Sequence, residues 1–205
     1  MTTILLTGFG DFPGAPINPT TALVARLARA ARRRGVHCIA HVFATRYAAV
    51  DRELPALIAA HRPDAIVMFG LAERRRRVSI ETCARNRISA FPDAGGAVPQ
   101  RRAIAPGAPA IACGRAPFTR LLAAARQTRV KTALSRDAGT YLCNYVYWRA
   151  LEAAARPGGP RLAVFVHVPR VGQKFRPRAR GGRRTFTLDQ LARVGEAVVT
   201  AVSRH

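Results

Sequence analysis

Apolar positions in this chain fall into short runs and helical stripes that take turns from one end to the other. Ile4–Gly8 is a brief apolar run closed by glycine, the pattern of a buried strand. Asn18-Pro19-Thr20 reads as a helix start, with Asn18 able to cap and Pro19 suited to the first helical position. Leu23, Val24, Leu27 and Ala28 then recur at helical spacing towards Arg34, and Gly35 stops the helix. Val36–Phe43 alternates as a strand, Tyr47–His61 has helical spacing, and Asp64–Phe69 and Val78–Ala84 are further strands. Between Phe91 and Pro117 the chain is rich in Pro, Gly and Ala, too long for a plain connector, and a hairpin or a lid beside a site is expected. The pattern resumes with a helix near Phe118–Arg126, a strand near Val130–Leu134, a helix from about Cys143 to Ala155, a strand over Arg161–Val168 and a helix over Leu188–Ser203. This alternation predicts an α/β fold, a three-layer sandwich in which a mixed, mostly parallel sheet carries helices on both faces. No repeat and no linker divides the chain, which reads as a single domain over residues 1–205. In such a fold, sites gather at the carboxyl ends of strands and the amino ends of helices.

Composition narrows the setting. With 49% hydrophobic residues in 205, the chain can bury one sizeable core. No stretch approaches the apolar length needed to span a bilayer, and Ile4-Leu5-Leu6 is too short for an export signal, so a soluble, cytoplasmic protein is expected. The net charge of +23 raises the question of nucleic acid. Yet the only lysines are Lys131 and Lys174, alanine is abundant, and codon bias in a GC-rich genome produces such a balance unaided. The arginines are dispersed apart from Arg32–Arg34, Arg74–Arg77 and the stretch from Lys174 to Arg184, so a solvated basic surface is preferred to dedicated nucleic-acid binding. Four widely separated cysteines, Cys38, Cys83, Cys113 and Cys143, contain no C-x-x-C pair, which argues against zinc knuckles and a redox dithiol. In a reducing cytosol disulfides are not expected either.

Three positions invite chemistry. The segment Ala138-Gly139-Thr140-Tyr141-Leu142-Cys143-Asn144 uses a glycine turn to deliver Cys143 to the start of an apolar helix. Free backbone N–H groups and the helix dipole there should lower the thiol pKa and could hold an oxyanion. Alone, such a cysteine is more often a small buried residue. His167 ends the apolar run Val164–Val168 just before Pro169, a rigid placement suited to a base, although a hydrogen-bonded core histidine has the same look. Glu81 lies among residues that should be buried and needs a partner, either a histidine held in one tautomer or one of the many arginines.

Together these segments resemble pyroglutamyl-peptidase I, the cysteine peptidases that remove an N-terminal pyroglutamate. Thr7-Gly8-Phe9-Gly10-Asp11-Phe12 with Asn18-Pro19-Thr20 is similar to the family's opening T-G-F-x-P-F and N-P-S/T. Ile80-Glu81 with Asn86, and Phe91-Pro92-Asp93 with Gly95, resemble the strand of its glutamate and the following loop. Ala138–Asn144 is similar to its A-G-T-x-x-C-N, and His167-Val168-Pro169 to its H-V-P. The resemblance implies Cys143 as nucleophile, His167 as general acid/base and Glu81 orienting the histidine. It also implies no metal or other cofactor, a peptide substrate with a blocked N-terminus, and often a homo-oligomer. Phe9, Phe12, Tyr141 and Leu142 fall where the family builds its apolar pocket for the lactam ring, and Leu71 where it usually carries a polar glutamine.

Three departures accompany the match. Asp11 replaces a proline, Leu71 replaces that glutamine, and Ala90-Phe91-Pro92 lacks an arginine that the family carries before its I-P-D segment. A second expectation is therefore the same chemistry on a different blocked terminus. A third is a weakly or non-catalytic binding protein whose basic loop Lys174–Arg184 meets nucleic acid or an acidic partner.

Overall fold

The computed structural model describes residues 2–12, 17–172 and 185–205. The basic loop Lys174–Arg184 lies outside the described residues, and so does the reading placed on it. Eight strands and five helices follow one another as β1 (Thr3–Phe9), α1 (Pro19–Arg33), β2 (His37–Phe43), α2 (Tyr47–His61), β3 (Ala65–Leu71), β4 (Val78–Glu81), β5 (Cys83–Arg85), β6 (Ile111–Cys113), α3 (Phe118–Gln127), β7 (Thr132–Ser135), α4 (Leu142–Ala154), β8 (Leu162–Val168) and α5 (Leu188–Ser203). Six strands form one sheet in the order β2-β1-β3-β8-β4-β7. The first four are parallel to one another, β4 runs against β8, and β7 is parallel to β4. The sheet is thus mixed and mostly parallel, as expected. Side chains of α1, α3 and α5 pack on one face, and those of α2 and α4 on the other. Among the described residues no helix is long and apolar enough to cross a membrane.

Local chemistry explains why the elements begin and end where they do. Asn18 accepts a hydrogen bond from Thr20 N–H and caps α1, with Pro19 in the first turn. The same asparagine donates to the Gly10 carbonyl at 3.1 Å, and the Thr20 hydroxyl bonds both Phe9 N–H and Phe9 C=O at 3.0 Å. The N-P-T segment therefore clasps the end of β1. A Cβ on Gly8 would approach the Thr20 carbonyl to 3.0 Å, so glycine lets the helix lie this close. Asp11 takes part in the clasp, its carboxylate accepting Asn18 N–H at 2.9 Å.

The strand expected over Val78–Ala84 is interrupted. Thr82 donates its N–H and hydroxyl to the Ser135 carbonyl while its own carbonyl accepts Gly114 N–H, so the chain leaves the large sheet at that residue. Beyond it β5 pairs antiparallel with β6, which gives the Phe91–Pro117 stretch its hairpin partner. This pairing overturns the expectation of four free thiols. Cys83 lies directly opposite Cys113, and the two form a disulfide. Ladder hydrogen bonds bracket them at Gly114 N–H to Thr82 C=O and serve the next positions rather than this one, so the cysteines occupy the closer, non-hydrogen-bonded kind of pair. Sequence separation of 30 residues hid that adjacency.

A cross-link closing a loop of this length constrains the unfolded chain by about 3–4 kcal/mol in the chain-entropy treatment. Cys113→Ser is expected to lower the unfolding midpoint in denaturant under non-reducing conditions, and added reductant should bring the parent down to the variant. Parent and variant unfolding together without reductant would show that the bridge does not form in solution.

Candidate active site

The Cys143 segment, Glu81 and His167 come together on the α4 face of the sheet. Gly70 and His167 are register partners across β3 and β8, so their side-chain positions share a face. Gly70 has no side chain, and the Cys143 sulfur occupies the space, lying 2.7 Å from where a Cβ would stand. The nucleophile candidate therefore sits one strand away from the imidazole, in a seat that only glycine leaves open. Antiparallel pairing of β4 with β8 sets Ser79 opposite His167 and Glu81 opposite Phe165, again on that face. His167 Nδ1 and Glu81 Oε1 are 2.8 Å apart, with the glutamate wholly buried and the histidine 5% exposed. With Nδ1 engaged on the carboxylate, Nε2 is the nitrogen left to exchange a proton. The Phe165 ring, edge-on at 4.8 Å, backs the imidazole.

Glu81 has both partners considered from its sequence context. Besides His167, the Arg75 guanidinium reaches Glu81 Oε1 at 2.5 Å and also donates to the Asp137 carbonyl. Asp137 N–H returns a bond to Glu81 Oε2 at 3.2 Å. One buried carboxylate thus ties together the histidine, the arginine and the loop that leads to Cys143. Arg75 was visible in the sequence only as one of four consecutive arginines, and nothing in that run marked it out. The loop is pinned further by Ser89 N–H on the Thr140 carbonyl, the Asp137 side chain on Gly139 N–H, and the Tyr141 hydroxyl on the Pro92 carbonyl. Gly139 adopts φ +81°, the left-handed turn residue of the motif. Asn144, wholly buried, accepts Arg85 N–H and donates to the Arg85 and Arg87 carbonyls, fastening α4 to β5.

Electrostatics correct the expectation of a lowered thiol pKa. Cys143 is the second residue of α4; its own N–H lies against its sulfur, and among the described residues the N–H groups of Leu142 and Asn144 have no backbone acceptor. Burial nevertheless pushes the thiol up to about 12, with the Glu81 charge adding to it, while Arg75 and the cysteine's own N–H pull the other way. Burial also holds the His167 imidazole below its ordinary 6.5, against the pull of Glu81. Both shifts favour the uncharged forms, a thiol beside a neutral imidazole. The orphan N–H groups remain available for an oxyanion.

Around this centre, Phe9 is buried in the core beneath α2 and α4 and packs 6.0 Å from Phe43, and Phe12 is half-buried. Tyr141 is half-buried beside that core, and Leu142 is buried within it. Leu71 does not join them. It pairs with Val168, whose side chain packs in the opposite core, so strand alternation turns Leu71 away from Cys143. A residue the sequence reading passed over stands closer. Tyr47, first residue of α2, meets Tyr141 edge-on at 6.0 Å and Tyr145 at 5.0 Å, and its buried hydroxyl has no partner among the described residues. Asp93 holds it there, taking Tyr47 N–H on one oxygen and Gly95 and Ala97 N–H on the other.

Similarity to known proteins decides the family. The sequence model of the pyroglutamyl peptidases matches residues 2–204. The chain belongs to the pyroglutamyl peptidase family. The pyrrolidone-carboxylate peptidase of Thermococcus kodakarensis is 34% identical over 167 residues, 81% of this chain and 80% of that one. The enzyme of the same name from Pyrococcus furiosus is 30% identical, over 84% and 83%. Among solved structures, pyroglutamyl peptidase I of Bacillus amyloliquefaciens superposes with a TM-score of 0.85 at 27% identity, covering 99% of this chain and 98% of that one. The family's signature segments thus coincide here with the elements that assemble the Glu81–His167–Cys143 cluster.

A reaction needing neutral His167 loses rate as acid protonates the ring, so the acid limb of kcat/KM, or of iodoacetamide inactivation, is expected below pH 6.5. Arg75 is one of the charges that depress the imidazole, so Arg75→Gln should move that limb to higher pH as well as slow the reaction. An acid limb unmoved by the substitution would mean that Arg75 serves only to pack the loop.

Proposed function

We propose that this chain removes an N-terminal pyroglutamyl residue from peptides by cysteine catalysis. The observation that carries the reading is the buried Glu81–His167 pair at 2.8 Å beside the Cys143 sulfur seated over Gly70. In this reading His167 Nε2 takes the thiol proton as Cys143 Sγ bonds to the carbonyl carbon that joins pyroglutamate to the next residue. The carbonyl oxygen becomes an oxyanion held by first-turn N–H groups of α4. Collapse breaks the C–N bond, and the departing amine takes its proton from His167. Water, deprotonated by the same ring, then attacks the thioester, and the sulfur leaves and recovers a proton. Glu81 keeps the imidazole in one tautomer and supports its charged form between the two transfers.

A lactam ring presents a carbonyl and an N–H within a flat apolar body, so its pocket needs apolar walls and at least one well-placed polar group. Phe9, Phe12 and Tyr141 supply walls, with Leu142 packed beneath. The buried Tyr47 hydroxyl is the donor available to the ring. Burial, with Tyr141, Asp93, Tyr145 and Cys143 adding, keeps that phenol protonated far above neutrality.

A fluorogenic pyroglutamyl amide should be cleaved, and prolyl and glutamyl amides should be at least about a hundredfold poorer, since each lacks one feature of the ring. Iodoacetamide labelling with peptide mapping should find inactivation tracking Cys143 rather than Cys38. Cleavage of the glutamyl amide at a comparable rate would refute the lactam pocket.

Tyr47→Phe should lower kcat/KM for the pyroglutamyl amide by about one to two decades, the usual cost of leaving a buried polar group unpaired. Leu71→Gln should change it less than twofold. The reverse ranking would put Leu71 back in the pocket and remove Tyr47 from it.

A further inference from the structure

Arg75 faces two ways. Towards the sulfur it is committed to Glu81 and the Asp137 carbonyl, and on its other side it borders an open cavity of about 370 Å³ lined by Arg76, Arg77, Ser79, Lys131 and Ser135. Sheet register explains the floor. Ser79 pairs with His167 across β4–β8, and Ser135 pairs with Glu81 across β4–β7, so both hydroxyl side chains share the face of the imidazole. Arg76, Arg77 and Lys131 are exposed at the rim and make no ion pair among the described residues. No acidic side chain lines the cavity. Ser79 is 1% exposed, and its hydroxyl has no hydrogen-bond partner among the described residues. A buried donor without an acceptor, under cations without a counter-charge, is an unfavourable arrangement that an anion relieves on both counts.

We propose that this cavity is a subsite for a carboxylate on the leaving portion of the peptide, so that substrates with Asp or Glu directly after the pyroglutamyl residue are preferred. The inference rests on the function proposed above, because it uses the direction in which the substrate lies. His167 delivers its proton to the departing amine, which places the first leaving residue beside the imidazole. The neighbouring strand there carries Ser79 opposite His167, so the side chain of that first leaving residue is the part of the substrate directed to the cavity. A larger cleft of about 990 Å³ shares Arg75, Arg76 and Lys131 and adds Arg74, Arg129 and Arg170 alongside Glu73. The 370 Å³ cavity has no aromatic lining on which a base could stack, which favours a carboxylate over single-stranded nucleic acid.

The test compares pyroglutamyl-Glu-Ala-amide with pyroglutamyl-Gln-Ala-amide, equal in shape and differing in one charge, by chromatographic release of pyroglutamate. The Glu peptide should be favoured about tenfold in kcat/KM at low salt, chiefly through KM, and the preference should shrink towards unity in 1 M salt. Replacing Arg76, Arg77 and Lys131 together by Gln should abolish the preference while leaving the Gln peptide within about twofold. Calorimetric binding of both peptides to Cys143→Ala reads the subsite apart from the chemistry. Preference in binding with no cleavage of any pyroglutamyl compound would retain the subsite and remove the proposed function. Cleavage of both peptides at equal kcat/KM would overturn the subsite and leave the function standing. A triple variant that loses only affinity for a fluorescent oligonucleotide, with peptide preference absent from the parent, would likewise overturn it and assign the cations to nucleic acid.

Discussion

A carboxylate with no solvent exposure is the constraint around which the rest of this protein is arranged. Glu81 cannot sit in the centre of an α/β sandwich without charged or hydrogen-bonded partners, because desolvation of an isolated carboxylate costs far more than a fold of this size can offset. Its two oxygens are therefore fully engaged, by His167, Arg75 and Asp137 N–H. Breaking such a buried cluster from one side typically costs about 3–5 kcal/mol, so the partners position one another as firmly as core packing does. What the carboxylate holds is the machinery itself: the imidazole on one side and the turn before Cys143 on the other.

The mixed sheet is what allows this meeting. In a wholly parallel sheet Glu81 and His167 would both lie at strand ends pointing the same way. Here β4 runs against β8, so Glu81 at the end of β4 lies opposite Phe165, two residues before His167, and the side chains meet on one face across adjacent strands. The reversal also carries the chain out of the sheet at Thr82 and into the β5–β6 pair, which Asn144 then fastens to α4. Cys143, His167 and Glu81 are thereby linked through backbone ladders and buried amides, with the long Pro- and Gly-rich segment anchored beside them by Asp93.

Much of this was legible in the sequence wherever the deciding physics is local. Asn18-Pro19-Thr20 announced a capped helix, Gly35 its end and the apolar runs their strands, and apart from the Val78–Ala84 run, which divides at Thr82, the elements given bounds came within a few residues of those observed. The meeting of Glu81, His167 and Cys143 was legible for a different reason, since three short motifs in a fixed order carry far more information than any one of them. Features set by register were not legible. Whether Leu71 faces the pocket depends on strand parity, and one residue of shift exchanges the two faces. The neighbourhood of Cys83 and Cys113 depends on pairing across 30 residues, and the choice of Arg75 from four arginines depends on where the turn after β3 ends. Tyr47 escaped notice because an unpartnered hydroxyl is a property of its surroundings and leaves no trace in residue type.

The thiol shows how two correct local arguments can compete. A cysteine at a helix start is stabilised as thiolate by the N–H groups and dipole, usually by no more than about 2 kcal/mol in a partly buried setting. Burial beside a glutamate opposes this, and the Cys143 thiol is pushed up to about 12. In the proposed mechanism the Leu142 and Asn144 N–H groups, without backbone acceptors among the described residues, are preorganised for the oxyanion, where negative charge appears only after attack. A site arranged in this way binds charge more strongly in the transition state than in the ground state, which is the condition for accelerating the chemical step. It also keeps the sulfur a thiol between turnovers, and a thiol is far less prone to oxidation and adventitious alkylation than a thiolate. Desolvation of the partly buried Cys143 thiol and its dependence on His167 are, in the proposed mechanism, two aspects of one arrangement: the base supplies, at the moment of attack, the ionisation that the surroundings withhold.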